Sequence, residues 1–217
     1  METNLISRRQ SIPLHNILMP KGNIRKQKSQ FKMKIEIKAH SDNWKREFEE
    51  ERLVLQDIFQ EEIRVIEHIG STSVPQLRAK PVIDIFLAVS HLRSISYYKN
   101  KLKKFNYRYS RTDMSNRHLF SKYTAEEVWT HNLHILPYDE NYYLRNELLF
   151  RDYLRNNPEY VFKYSVLKEQ LAIINYQTIE DYTKLKSQFI QSVVDRALIE
   201  KGIQKRVPLL DPINRST

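Results

Sequence analysis

The stretch "EHIGSTSVPQLRAKPVIDIFLAV", Glu67 to Val89, gathers residue types that handle phosphate. Gly70, one of three glycines in 217 residues, is followed by Ser71, Thr72 and Ser73. A glycine has no Cβ, so a ligand can come close to the backbone. Outward-facing N–H groups with hydroxyls beside them can cradle a phosphate. Strand–Gly–Ser turns also occur without a ligand, and both readings stand. Asp84 lies inside "VIDIFLAV", the most apolar run of the chain. A carboxylate there is costly unless it is paired or bound to metal. Either a structural ion pair or a metal–phosphate site satisfies that demand. A third group is "HNLHILP", His131 to Pro137. Three residues apart on a strand, His131 and His134 face opposite sides and cannot act as a same-face pair. If His134 shares a face with Asp84, neighbouring strands offer one acid and one imidazole; otherwise His134 is structural.

The elements that must position these groups read as an α+β outline, a mixed sheet first and helices after. Residues 33–40, "MKIEIKAH", alternate like a strand. Ser41, Asp42 and Asn43 open a helix over 44–60, with Trp44, Phe48, Leu55, Ile58 and Phe59 near helical spacing. Strands are predicted over 64–69 and 82–89, the second apolar on both faces and hence central. A helix over 92–105 precedes strands over 106–110, 117–123 and 128–136, the last two as an antiparallel pair. Helices over 141–156, 158–176 and 179–201 follow, with Pro158 at a helix start, where its missing N–H costs nothing.

Composition limits the function classes. The absence of cysteine excludes disulfides, thiolate zinc sites and cysteine nucleophiles, and fits a reducing cytosol. No apolar run approaches the roughly 18–20 residues needed to cross a bilayer, and the N-terminus lacks a signal-type apolar core. The chain therefore reads as soluble and cytoplasmic, with no membrane partner. The net charge is +10, but residues 1–32 hold seven bases and one acid, leaving 29 bases and 25 acids in 33–217. The excess sits mostly in an N-terminal segment that reads as a flexible basic extension. The body is only mildly basic, which argues against a nucleic-acid partner.

"HIGSTSVPQLRAKPVIDIFLAV", "HNLHILP", "LLFRDYLRNNP" (148–158) and "YTKLKSQFI" (182–190) together resemble the signature of the GrpB-like family, a branch of the nucleotidyltransferase superfamily. "MKIEIKAHSDNWKREFEEER" (33–52) fits the family's opening. The resemblance implies a GrpB-like domain of nucleotidyltransferase fold over 33–202, its sheet part in 33–137 and its helical part in 138–202. The extension 1–32 and an irregular tail, 203–217, fall outside it. It further implies that Gly70 and Ser71, with Thr72 beside them, contact nucleotide phosphates and that Asp84 is the first metal-binding acid. The second acidic position is then Phe86, and the third His134. Gln76 stands where the family usually has glycine.

The activity implied is transfer of a nucleotidyl group from an NTP to a small acceptor with a divalent metal. Mg²⁺ prefers oxygen ligands, and imidazole suits Zn²⁺ or another transition ion such as Mn²⁺. His134 is thus either a general base or a ligand beside Asp84, with His68 as a possible third. Lys80, Arg151 and Lys186 could supply positive charge to phosphate, or could pair with acids. The alternative to an enzyme is a catalytically inactive nucleotide- or phosphate-binding module of the same fold.

Overall fold

The computed structural model of the chain describes residues 36–112, 114, 116–173 and 179–203, and the side chains of 179–184 are not among the described features. The chain divides at residue 31, and the described residues all belong to the unit 32–217. The predicted extension 1–32, the start of the 33–40 strand, residues 174–176 of the predicted 158–176 helix and all but Ile203 of the 203–217 tail lie outside them.

Helix α1, Asn43–Phe59, begins where Ser41 Oγ accepts a hydrogen bond from the Asn43 amide (3.3 Å). Its buried face carries Trp44, Phe48, Leu55 and Phe59, together with one acid, Glu51. Strands β1 (Ile63–Ile69) and β2 (Ile83–Val89) pair antiparallel. Helix α2 (Ile95–Leu102) is capped by Ser94, whose hydroxyl accepts from the Tyr97 amide (3.4 Å). A 3-10 turn over Lys103–Phe105 finishes the stretch that spacing predicts as one helix, 92–105. Strands β3 (Tyr107–Ser110), β4 (His118–Tyr123) and β5 (Trp129–Pro137) pair antiparallel in sequence. Strand β5 then lies parallel to β2, giving one mixed five-stranded sheet in the order β1-β2-β5-β4-β3. Lys38 adds an isolated bridge to Ala79.

Helices α3 (Asn146–Asn156), α4 (Pro158–Ala172) and α5 (Ile179–Glu200) follow. The predicted 141–156 helix is broken at Arg145, whose backbone is extended. Its guanidinium reaches back to the Pro137 carbonyl (3.3 Å) and to Asp139 (2.6 Å), so residues before it form only a 3-10 turn, Tyr142–Leu144. Among the described residues no helix is long and apolar enough to cross a membrane.

The sheet has two unlike faces. Ile83, Ile85, Leu87, Leu133, Ile135 and Phe120 form a dry layer with α1 and α2. On the other face Ile69, Phe86, Ala88 and Leu136 pack beneath Tyr142 and Leu148. Val74 and Leu77, in the link between β1 and β2, pack with α3, α4 and α5 instead. The fold thus ties this link to the helices, while β1 and β2 belong to the sheet.

Under α1, the buried Glu51 carboxylate accepts hydrogen bonds from Tyr107 Oη (2.9 Å) and from Lys122 Nζ. Burial and the Glu51 charge push the Tyr107 phenol well above its ordinary pKa. Removing one member of such a group leaves unmatched polar atoms inside. Glu51→Ala is therefore expected to lower stability by about 3 kcal/mol in urea denaturation. Arg108→Ala, which breaks an exposed ion pair with Glu127, is expected to leave the midpoint nearly unchanged.

Candidate functional site

The turn after β1 fits the strand that follows it. Gly70 has φ +69° and ψ −171°, a backbone state that L side chains rarely adopt, and Ser71–Ser73 then form one 3-10 turn. A Cβ built on Gly70 would lie 2.9 Å from Asp84 Cβ and Cγ and closer still to Asp84 Oδ2. The glycine turn and the strand acid therefore occupy the same place, as the sequence spacing only suggested. Ser73 Oγ donates to the Gly70 carbonyl (2.7 Å) and closes the turn on itself.

Asp84 retains some exposed surface, yet its carboxyl is ringed by protein. Register sets Asn132 of β5 beside it, and Asn132 Nδ2 donates to Asp84 Oδ1 (2.9 Å). Asn132 Oδ1 in turn accepts from Ser121 Oγ (3.2 Å) and Trp129 Nε1 (3.1 Å). Lys80 Nζ rests 3.6 Å from the centre of the Trp129 ring, within cation–π range. Burial raises the Asp84 pKa, and Asn132, Lys80 and Lys186 oppose that rise. Burial lowers Lys80, with Asp84 opposing. Burial and then Lys80 hold Lys186 down at about 8. Lys186 comes from α5, so sheet, link and last helix all meet at this carboxylate.

Of the residues singled out in the sequence, the structure gathers Gly70, Ser71, Lys80, Asp84 and Lys186. Thr72 is buried, with its Oγ1 donating to the Val82 carbonyl (3.4 Å) and lying 3.0 Å from His68 Nε2. It secures the turn and does not face outward from it. His68 pairs in register with Ile85, on the face opposite Asp84, and stacks on Phe48 at 4.7 Å. It is not placed to share an ion with Asp84. Arg151 is committed to Glu67 (2.6 Å), Asp152 (2.7 Å) and the His68 carbonyl (3.0 Å). With Arg155, which donates to the Ser73 carbonyl (2.8 Å), it clamps both sides of the glycine turn onto α3. These two arginines position the turn.

His134 shares the Asp84 face but stands level with Phe86, one pleat further along. It packs edge-on against Phe86 (5.7 Å), and its Nδ1 is buried without a hydrogen-bond partner. Burial, then Arg117, lowers its pKa to about 4, so it is neutral at pH 7. Close by, Arg117 Nη1 donates to Glu147 (2.6 Å). Residue spacing alone did not reveal Asn132, Trp129, Ser121 or Glu147, because each enters through the register of β5 or the docking of α3. Among the described residues no group of three or more His, Cys, Asp or Glu side chains is placed to hold a metal ion. With Phe86 apolar and Asn132 presenting an amide N–H, the donors around Asp84 do not fit a pair of magnesium ions.

Comparison with known proteins agrees with this architecture. Residues 34–196 match the family described as GrpB protein. The glutamate-rich protein GrpB of Alkalihalophilus pseudofirmus is 33% identical over 168 residues, 76% of this chain and 96% of that protein. UPF0157 protein YqkA of Bacillus subtilis is 34% identical over 168 residues, which are 76% of this chain but only 48% of the relative. The crystal structure of conserved protein GrpB from Enterococcus faecalis superposes with a TM-score of 0.69 at 33% identity, covering 76% of this chain and 99% of that one.

Two expectations follow. Gly70→Ala is expected to cost about 2–3 kcal/mol in chemical denaturation, from forbidden backbone and collision together. Adding Asp84→Ala removes the collision with the carboxyl but keeps the one with Asp84 Cβ, so it should restore only part of that cost, and the double mutant is more stable than the sum of the single changes predicts. The second concerns acid. His68 is held near 3, and His131 and His134 near 4, all chiefly by burial. In the unfolded chain they titrate near 6.5. Their contribution is complete above that pH and is lost as pH falls from 6.5 through 4. Asp84, raised in the fold, acts with the opposite sign, so the comparison must be made by variant. The drop in stability between pH 7 and 5 should shrink by about 1–2 kcal/mol in His134→Asn.

Proposed function

The chain belongs to the GrpB family, and on that footing we propose that it binds a nucleotide through its phosphates, in a pocket of nucleotidyltransferase type. One observation carries this reading: the Gly70 turn abuts Asp84 where Lys80 and Lys186 converge. Backbone N–H groups at a glycine turn and two ammonium groups are suited to a polyphosphate. The order of turn, acid strand and parallel neighbour strand supports the superfamily assignment. The ligand class is an NTP, and the compartment proposed is the cytoplasm.

A second reading is nucleotidyl transfer to a small-molecule acceptor. It is favoured by Asp84 standing at the first acidic position with Oδ2 toward the glycine turn. An acceptor hydroxyl oxygen would bond to the α-phosphorus as pyrophosphate leaves, and its proton would pass to a base. His134, neutral and on the same sheet face, is the candidate for that base. This reading calls on a divalent ion, Mg²⁺, Zn²⁺ or Mn²⁺, for which the chain offers one carboxylate at the turn.

Thermal unfolding with ATP, GTP, CTP and UTP separates these outcomes. At about a hundredfold excess over Kd, a bound nucleotide should raise the midpoint by roughly 5 °C or more. The same rise should be missing in Lys186→Ala. If none of the four nucleotides moves the midpoint, with or without metal, the binding reading fails. Labelled NTP incubated with cell metabolites tests the second reading: label transferred by the wild type and not by Asp84→Asn supports it, and binding without transfer rules it out.

A further inference from the structure

What neutralises a phosphate here is decided by the atoms around Asp84. In two-metal sites, carboxylate oxygens from neighbouring strands share the ions. On β5 the residue level with Asp84 is Asn132, and its amide has one workable orientation. Oδ1 takes the protons of Ser121 Oγ (3.2 Å) and Trp129 Nε1 (3.1 Å), while Nδ2 gives one to Asp84 Oδ1 (2.9 Å). Turned over, it would set donor against the indole N–H and acceptor against the carboxylate. Ser121 Oγ is itself 2.9 Å from Ser110 Oγ, so hydroxyls on β3 and β4 hold the arrangement from behind. An N–H group therefore fills the place where a second acid would present oxygen to a cation. Phe86, two residues beyond Asp84 on the same face, is fully buried and offers no ligand.

Positive charge is instead built into the protein. Lys80 is held over Trp129 at 3.6 Å. Lys186 lies near enough to Lys80 and Asp84 to feel both charges. The buried Lys168, its pKa lowered to about 6 by burial and then by Lys186, donates to the Arg78 carbonyl and adds little charge at pH 7. Both ammonium groups act on the Asp84 carboxyl, on the side of the glycine turn.

We infer that this site binds polyphosphate without a divalent metal, Lys80 and Lys186 supplying the charge that metal ions supply in two-metal sites. Asp84 accepts from the Asn132 amide and does not ligate an ion. The inference rests on the phosphate-binding reading and specifies how that binding works. It carries a consequence for protons. Lys186 is held near 8 by burial and Lys80. An anion favours its charged form, so binding above that pH takes up a proton.

The test is calorimetry on the full chain with ATP and with inorganic tripolyphosphate, in EDTA and again in Mg²⁺. The expected result is a Kd for tripolyphosphate that is the same in both buffers within about twofold. Lys186→Ala and Lys80→Met should each weaken it about tenfold or more, whereas Asp84→Asn should leave it unchanged or tighten it, since an anionic neighbour has been removed. Lys186→Arg should retain most of the affinity. Binding that appears only with Mg²⁺, or that disappears in a folded Asp84→Asn variant, overturns the inference and leaves the nucleotide-binding reading intact. No heat from either anion in either buffer overturns both. Should Asp84→Asn fail to fold, the EDTA comparison on the wild type still decides.

Discussion

The site depends on a steric constraint more than on any attraction: there is no space for a Cβ between the backbone at residue 70 and the carboxylate of Asp84. A chain with three glycines in 217 residues has placed one where both a positive φ and a close approach require it. Because no side chain intervenes at residue 70, the turn packs directly on the strand, and the hydroxyl-rich corner lies against the acid. The other parts of the site are oriented from that contact.

Two layers of support maintain it. Helix α3 grips the turn through Arg151 on the carbonyl before it and Arg155 on the carbonyl after it. Those guanidiniums also burden His68, whose proton affinity falls chiefly through burial and then through their charge. Strand β5 grips Asp84 through Asn132, whose carbonyl oxygen already has two donors. Helix packing governs the glycine turn, and sheet register governs the carboxylate. Linking them is the segment 74–79, whose apolar side chains Val74 and Leu77 belong to the helical core. Movement of α3–α5 against the sheet would therefore alter both halves together.

Much of this was legible in the chain. The α+β order, the two-sided burial of β2, and the pairing of a rare glycine with an acid in an apolar strand follow from local chemistry. Partner choice did not. Asn132 and His134 share a face on β5, and only the parallel register with β2 decides that Asn132 is the neighbour of Asp84. His68 precedes the glycine turn, yet the antiparallel register with Ile85 turns it toward α1. Arg151 lies 84 positions from Glu67, and nothing short-range reveals their pairing. Lys186 and Asp84 likewise meet only through the docking of α5. Side-chain parity within one strand is local information; alignment between strands, and between strand and helix, is set by the whole core.

The stack of Lys80 on Trp129 gives the site an optical property. The chain has two tryptophans, and Trp44, on the buried face of α1 beside His40, belongs to a different environment. An ammonium centred 3.6 Å above an indole imposes a strong local electric field on that chromophore. Any visitor that draws the ammonium aside alters the field, and with it the colour of the indole's emitted light. Movement of Lys80 off the ring is therefore expected to register in the intrinsic fluorescence of the unlabelled chain.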